Sequence, residues 1–326
     1  LRHKATGAVV RTLSGGEARG LVSPSWDGKD ASGRLVANGA YTWSFSAKPA
    51  DGQGADLTVT GAVSVSGAAP VFRDLVGDDG FGELLVKDSA GLVSLYKGTG
   101  TGGVSSRVAG SGNFSTSAYL VPFGDVNGDR CNDVLVRLGT ELRVYRPGCG
   151  KVVSPSSPYT SIGTGWGQFD VLTSPGDVNG DGRQDLIARQ TTTGDMYFYA
   201  GTADHRFKGR VKIGTNWKTY AKVVGAGDLN GDGRGDLLGV DKAGALWRYY
   251  GTATGGVTSR VKLADAWGTS YTSVVGMGDI SGDGKPDVVA RDTAGKLFRF
   301  SGTGNGTLGG RVQIGNSGWT AFKGLY

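Results

Sequence analysis

Cysteine, histidine and methionine are almost missing from this 326-residue chain, which has two of each. Two cysteines cannot build a multi-bridge framework or a four-thiolate zinc site. The two histidines, His3 and His205, sit in no His-Glu-x-x-His or Ser-His-Asp setting. No Gly-x-Ser-x-Gly elbow, phosphate-cradling loop or dinucleotide fingerprint occurs either. The expectation is a protein without a catalytic site. No run of 18 apolar residues is present, so no membrane-spanning helix is expected. No Gly-X-Y period runs through the chain, which excludes a collagen helix. The first residues, Leu1-Arg2-His3-Lys4, lack an initiator Met and read as a processed product.

A concentrated basic block is also missing. The net charge of +6 comes from 35 Lys and Arg against 29 Asp and Glu. Residues 1–67 carry 7 basic and 5 acidic residues, leaving 28 against 24 for the remainder, so the excess is spread thinly. That pattern gives no phosphate-tracking surface, and no nucleic-acid partner is expected.

Glycine, by contrast, is abundant: 60 of 326 residues, about 18% against a usual ~7%. Each interior glycine costs a helix about 1 kcal/mol relative to alanine. With 38% hydrophobic and 20% charged residues the chain can still bury a core. An all-β protein rich in turns is expected.

The acidic residues are clustered and periodic. Asp125-Val-Asn-Gly-Asp-Arg-Cys-Asn-Asp133 recurs as Asp177-Val-Asn-Gly-Asp-Gly-Arg-Gln-Asp185, Asp228-Leu-Asn-Gly-Asp-Gly-Arg-Gly-Asp236 and Asp279-Ile-Ser-Gly-Asp-Gly-Lys-Pro-Asp287. The starts lie 52, 51 and 51 residues apart, and a worn copy runs from Asp74 to Glu83, 51 residues earlier. Each unit reads as four short strands, for example Val223–Ala226, Asp236–Val240, Leu246–Tyr250 and Arg260–Leu263. Four-stranded units at this period point to a β-propeller. Five blades over residues 68–326 are expected. The terminal Trp319–Tyr326 copies the start of a unit, as ring closure by the last strand requires. A β-solenoid is the rival, but its repeats are usually shorter.

The acidic loop has the donor set of a hard cation. Asp177, Asn179 and Asp181 alternate along a tight turn, Arg183 offers its main-chain carbonyl, and Asp185 returns with a further carboxylate. Oxygen ligands of this kind suit Ca²⁺. The same positions are Asp125, Asn127, Asp129, the Cys131 carbonyl and Asp133 in blade two. In blade four they are Asp228, Asn230, Asp232, the Arg234 carbonyl and Asp236, and in blade five Asp279, Ser281, Asp283, the Lys285 carbonyl and Asp287. About four structural Ca²⁺ ions are expected. The worn loop, with Asp74, Asp78 and Glu83, leaves its metal open.

These loops resemble the FG-GAP or VCBS repeats of integrin-α-like propellers, whose Asp-x-Asp/Asn-x-Asp-Gly-x-x-Asp loops bind Ca²⁺. The likeness covers residues 70–326 and implies the ligand positions named above. Blade two departs from it at Arg130, where the motif has Gly. Blade five departs at Ser281, and blade one at Val76. The run Tyr199-Ala-Gly-Thr, Arg210-Val-Lys-Ile-Gly and Trp217 is similar to secreted actinobacterial versions, which accompany enzymes acting on cell walls and polysaccharides. Residues 1–67 stand outside the repeat. Trp26-Asp-Gly-Lys-Asp-Ala-Ser-Gly-Arg-Leu-Val-Ala-Asn-Gly-Ala-Tyr41, followed by alternating Thr42 to Ser46, resembles the Ig-like domain of flagellar hook-capping proteins. That implies an N-terminal Ig-like β-sandwich, with Val9–Leu13 as another strand and a boundary at Ser66–Ala69.

Two functions from different classes follow. The first is a secreted, lectin-like module for glycans or cell-wall polysaccharide. Its candidate ligand residues are Trp166, Trp217, Trp267 and Trp319 with Tyr199 and Tyr250, since aromatic rings offer an apolar face to sugar C–H groups. Phe114, Tyr96 and Tyr145 recur at the same phase. Each could instead serve packing between blades. The second is a scaffold that docks another secreted protein. Finally, if Leu138 pairs with Glu141 across the Gly139-Thr140 turn, paired positions sum to 279 and Cys131 faces residue 148. Cys149 is one step away, so a Cys131–Cys149 disulfide is expected, and with it an oxidising compartment.

Overall fold

The computed structural model describes residues 1–4, 7–31, 36, 39–66, 71–76, 79–129, 131–204 and 206–326. Arg130, His205, Asp78, most of the boundary at 66–69 and part of the Trp26–Tyr41 run lie outside the described residues. The described residues are all-β, and every strand pairing is antiparallel. Six sheets form where the repeat count alone leads to five. Five are four-stranded, and one, from the N-terminal region, is three-stranded.

The four-stranded sheets follow the 51-residue period. Sheet one joins Phe322–Leu325, Glu83–Asp88, Leu92–Lys97 and Val108–Asn113. Sheet two is Tyr119–Pro122, Val134–Leu138, Glu141–Tyr145 and Tyr159–Gly163. Sheets three, four and five start at Phe169–Gly176, Tyr220–Gly227 and Tyr271–Gly278 and end at Val211–Gly214, Val261–Ala264 and Leu308–Gly315. The last strand of the chain pairs with an early one, Leu325 opposite Val86 and Phe322 opposite Asp88.

Side-chain alternation explains how these sheets pack. Successive residues of a strand face opposite sides, so a continuous apolar run feeds two cores at once. Leu237 joins the cluster of Ile187, Phe198 and Val223, whereas Leu238 joins that of Val274 and Val288. Leu84 packs with Val289 and Phe322, and Leu85 with Leu120 and Val136. Each of the five clusters thus lies between two consecutive sheets, and the fifth links sheet five to sheet one. The apolar layers run round a closed circuit.

The N-terminal sheet comprises Arg2–His3, Gly39–Ala47 and Leu57–Val65, with Gly39 opposite Val65 and Ala47 opposite Leu57. The expected sandwich is not formed among the described residues, which supply this one sheet. Val9–Leu13 makes only a single bridge, Arg2 to Val9, and leaves Val9 and Leu13 exposed. The Gly- and Ser-rich stretch that follows has no alternation with which to bury a second face. Tyr41 is fully buried and packs edge-on against His3 and Trp26, so Trp26 belongs to this small core.

Candidate functional site

In sheets two to five the acidic loop connects the first and second strands, and its carboxylates are held by the loop's own backbone. In sheet three, Asp177 Oδ1 accepts from the Gly180 and Asp181 N–H groups at 2.7 and 3.2 Å, and Oδ2 accepts from Gly182 at 2.6 Å. Gly180 and Gly182 stand at φ of 78° and 82°, a left-handed geometry that side chains resist. Asn179 Oδ1 accepts from Asp181, and Asp181 Oδ1 from Arg183, at 2.9 and 3.0 Å. Asp228, Asn230 and Asp232 repeat this scheme with Gly231, Gly233 and Arg234. Asp279 and Asp283 repeat it with Gly282, Gly284 and Lys285, and Ser281 Oγ turns onto Asp279. In sheet two Asp125, Asn127 and Asp129 do the same with Gly128 and Cys131.

The ninth position behaves differently from the other three. Asp133, Asp185, Asp236 and Asp287 are fully buried. Asp185 Oδ2 accepts from Val178 N–H at 2.9 Å, and its Oδ1 accepts from Gly201 N–H at 2.9 Å across the hairpin. Asp236 is held by Leu229 and Gly251, and Asp287 by Ile280 and Gly302. This carboxylate therefore braces the loop against the third strand. Burial pushes its pKa up, to about 6 for Asp185 and Asp287 and about 7 for Asp133 and Asp236. Sheet two breaks the scheme: register places Pro147, which has no N–H, where Gly201, Gly251 and Gly302 donate. Asp133 Oδ2 still accepts from Val126 at 2.8 Å, but Oδ1 is buried without a partner.

The donor chemistry fits a hard cation, with side-chain oxygens at positions one, three and five, a carbonyl at seven and the orphaned oxygen of Asp133. The carboxylates of positions one, five and nine do not converge within 4.8 Å in sheets two to five, among the described residues. They do converge in the worn loop of sheet one, where the members are Asp74, Asp79 and Glu83. Counting along the motif pointed to Asp78 and overlooked Asp79, because the extra residue before Glu83 shifts the phase. A second acidic and sulfur grouping, Asp129 with Cys131 and Cys149, is explained by the disulfide between the two cysteines, whose Cα atoms lie 5.2 Å apart. The expected bridge is formed.

The repeated tryptophans are structural. Trp166, Trp217 and Trp267 are 7%, 6% and 6% exposed, each in a short helical turn that leads into an inner strand. Their rings lie 4.8, 4.6 and 4.6 Å from Tyr199, Tyr249 and Phe300. Trp319 packs against Tyr96 at 4.6 Å, and Phe114 against Tyr145 at 5.4 Å. For Trp166, Trp217 and Trp267 the expected ligand-facing role gives way to packing, because their faces are covered within the sheets, whereas Trp319 stays partly exposed. Tyr250 points elsewhere: Arg248 covers its ring at 4.6 Å, and its hydroxyl donates to the Asn305 carbonyl.

Sequence reasoning missed two sets of residues. The first is a basic side chain inside the second strand, which reaches carbonyls of the next sheet's lead-in turn. Arg189 donates to Trp217 and Tyr220, Arg291 to Trp319 and Phe322, Arg137 to Phe169, and Lys87 to Thr116 and Ala118. The available signal was a lone cation at one phase of an apolar run. The second set is a cation stacked on a ring at the outer edge. Arg210 covers Tyr197 at 4.3 Å, Arg260 covers Trp247 at 4.1 Å, and Arg311 covers Phe298 at 4.2 Å. In sheet two the partners are exchanged: Arg143 on the third strand covers Tyr159 on the fourth, at 4.3 Å. In sheet one Arg107 bonds Ser94 at 2.9 Å and lies over the buried Phe322 ring at 5.5 Å.

Family comparison bears on this repeat directly. Residues 177–239 and 228–290 match the FG-GAP-like repeat, and residues 3–51 match the FlgD Ig-like domain. The chain carries FG-GAP-like repeats behind a FlgD Ig-like domain. No curated protein matches it. Among solved structures, the BP39L lectin of Burkholderia pseudomallei is 15% identical, with 79% of this chain and 77% of that one covered and a TM-score of 0.43. An Agrocybe aegerita lectin that recognises non-reducing terminal N-acetylglucosamine is 14% identical, over 72% and 76%, at 0.38. The fucose-specific lectin of Aleuria aurantia is 13% identical, over 86% and 96%, at 0.36. These likenesses are loose, and they carry nothing about what the FG-GAP-like chain binds.

Proposed function

We propose that this FG-GAP-like chain is a non-catalytic carbohydrate-binding module. Residues 68–326 form its five-bladed propeller, and residues 1–67 are an appended Ig-like unit. The observation that carries the reading is the arginine–ring pair at the outer edge of sheets two, three and four; in sheet five the ring, Phe298, is buried. Arg210, Arg260 and Arg311 are exposed, and Tyr197 and Trp247 keep part of their rings at the surface. A ring face next to a planar cation with several N–H donors offers both surfaces a sugar needs, one for C–H groups and one for hydroxyls. The exchange of partners in sheet two supports the pair, rather than either residue alone, as the repeated feature. A glycan array with a polysaccharide pull-down tests this. Retention on at least one carbohydrate, weakened by Arg260→Ala, is expected; no retention on any would defeat the reading.

The acidic loops are proposed as Ca²⁺ sites, about four in number. Asp177, Asn179, Asp181 and the Arg183 carbonyl would hold the ion in sheet three, as would their counterparts in sheets two, four and five. The ion would supply positive charge that offsets the crowded carboxylates. Asp185 and its equivalents brace the loop for it. The disulfide is compatible with an extracellular setting, and no helix is long and apolar enough to cross a membrane. Secretion is part of the proposal.

A further inference from the structure

The axis of the ring contains a cation that no carboxylate among the described residues bonds directly. Arg73 is 7% exposed, and its Nε and Nη2 are buried with no hydrogen-bond partner. It lines a cavity of about 90 Å³ bounded by inner strands of the five sheets, at Tyr119, Leu172, Val223, Val274 and Tyr326. Space of that size holds several waters or one small ion. Each inner strand is paired on one side only, so its other edge turns backbone N–H and C=O groups toward this cavity.

The segment that carries Arg73 is fixed in place. Phe72 fits against Gly176 and Gly227, where any Cβ would touch its ring, and against Gly278 through its backbone. The Asn132 side chain donates to the Val71 carbonyl at 2.7 Å, and Glu83 N–H donates to the Arg73 carbonyl at 3.0 Å. Arg73 itself stands at φ 72°, a strained conformation for a side-chain-bearing residue. The fold holds that backbone and directs a guanidinium into the cavity. No carboxylate among the described residues forms an ion pair with it. Burial of this guanidinium outweighs its attraction to the Glu83 carboxylate, and a buried charge without a bonded partner is among the costliest features a core can contain.

We propose that the axial cavity binds a small monovalent anion, of halide to acetate size, on the guanidinium of Arg73. The planar fork of the guanidinium gives two parallel N–H donors, and edge N–H groups of the inner strands complete the shell. The site is independent of carbohydrate binding at the outer edge.

Bromide is the probe. Crystals of the whole chain grown in sodium bromide should show an anomalous peak within about 3.5 Å of an Arg73 guanidinium nitrogen. In solution, replacing gluconate by chloride at constant ionic strength should raise Tm progressively, as mass action requires. Arg73→Gln should abolish that rise. An axial cavity that holds only water, or a chloride-dependent rise that survives in Arg73→Gln, would overturn the proposal. If the variant does not fold, the bromide peak in the unaltered protein decides alone.

Discussion

Arg189 offers a direct test of how the ring is held together. Its Nη1 donates to the Trp217 and Tyr220 carbonyls at 2.9 and 2.7 Å, while Nε and Nη2 grip Asp170 at 2.9 and 2.8 Å. Arg189→Met keeps most of the apolar stem and removes all four bonds. Asp170 is more than a third exposed and regains water, so its loss is worth under about 1 kcal/mol. The Trp217 carbonyl keeps the Tyr220 N–H, so only the Tyr220 carbonyl is orphaned, at about 1–3 kcal/mol. A total loss of about 2 kcal/mol follows once the restored apolar packing is subtracted. Sheet four supplies a natural control. Val240 occupies the equivalent strand position, and the turn it faces, Trp267–Ser270, is α-helical and bonds its own Ala266 carbonyl. Urea denaturation should show a lower midpoint at unchanged slope. A loss below about 1 kcal/mol would refute the idea that this arginine ties one sheet to the next.

Three further outcomes are expected. Replacing Cys131 and Cys149 by serine opens a closure of 18 residues and should lower stability by about 3 kcal/mol in denaturant melts. Pro147→Gly restores an N–H opposite Asp133 Oδ1. It should raise the urea midpoint by about 1 kcal/mol, the bond to a charged acceptor outweighing the added chain entropy; a fall would show that Oδ1 is satisfied in another way. In chelator, the buried ninth-position carboxyls bind protons more tightly folded than unfolded. Their pKa values of about 6 to 7 exceed the unfolded value near 4. Stability should therefore fall as pH rises from about 4 to 7, and added Ca²⁺ should restore it at the upper end. A Tm that rises through that window in chelator would contradict the burial of Asp133, Asp185, Asp236 and Asp287.

What could be read from the sequence was whatever repeats in register. The 51-residue period, the strand runs and the Cys131–Cys149 pairing all follow from counting, because hairpin register is arithmetic once a turn is placed. What could not be read depends on which neighbour a side chain meets. Trp217 and Trp247 are both tryptophans in one unit; only the fold shows the first enclosed by Tyr249 and the second reaching the edge beneath Arg260. Asp185 looks like Asp181 in the motif, yet it is buried because Gly201 approaches from another strand. Asp79 was hidden by a one-residue shift of phase. The N-terminal motif carried a family likeness over residues 3–51, but nothing in its Gly- and Ser-rich stretch specified a second sheet.

The arginine–ring pairs give the central claim a number. The ring keeps part of its surface in sheets two, three and four, whereas Phe298 in sheet five is buried, so calorimetric titration with an oligosaccharide selected on the array should report about three similar sites per chain. Arg260→Ala should remove one of them and, since its guanidinium also bonds the Tyr220 hydroxyl at 3.0 Å, lower stability by about 1 kcal/mol. A single site, or a stoichiometry unmoved by that substitution, would contradict the account.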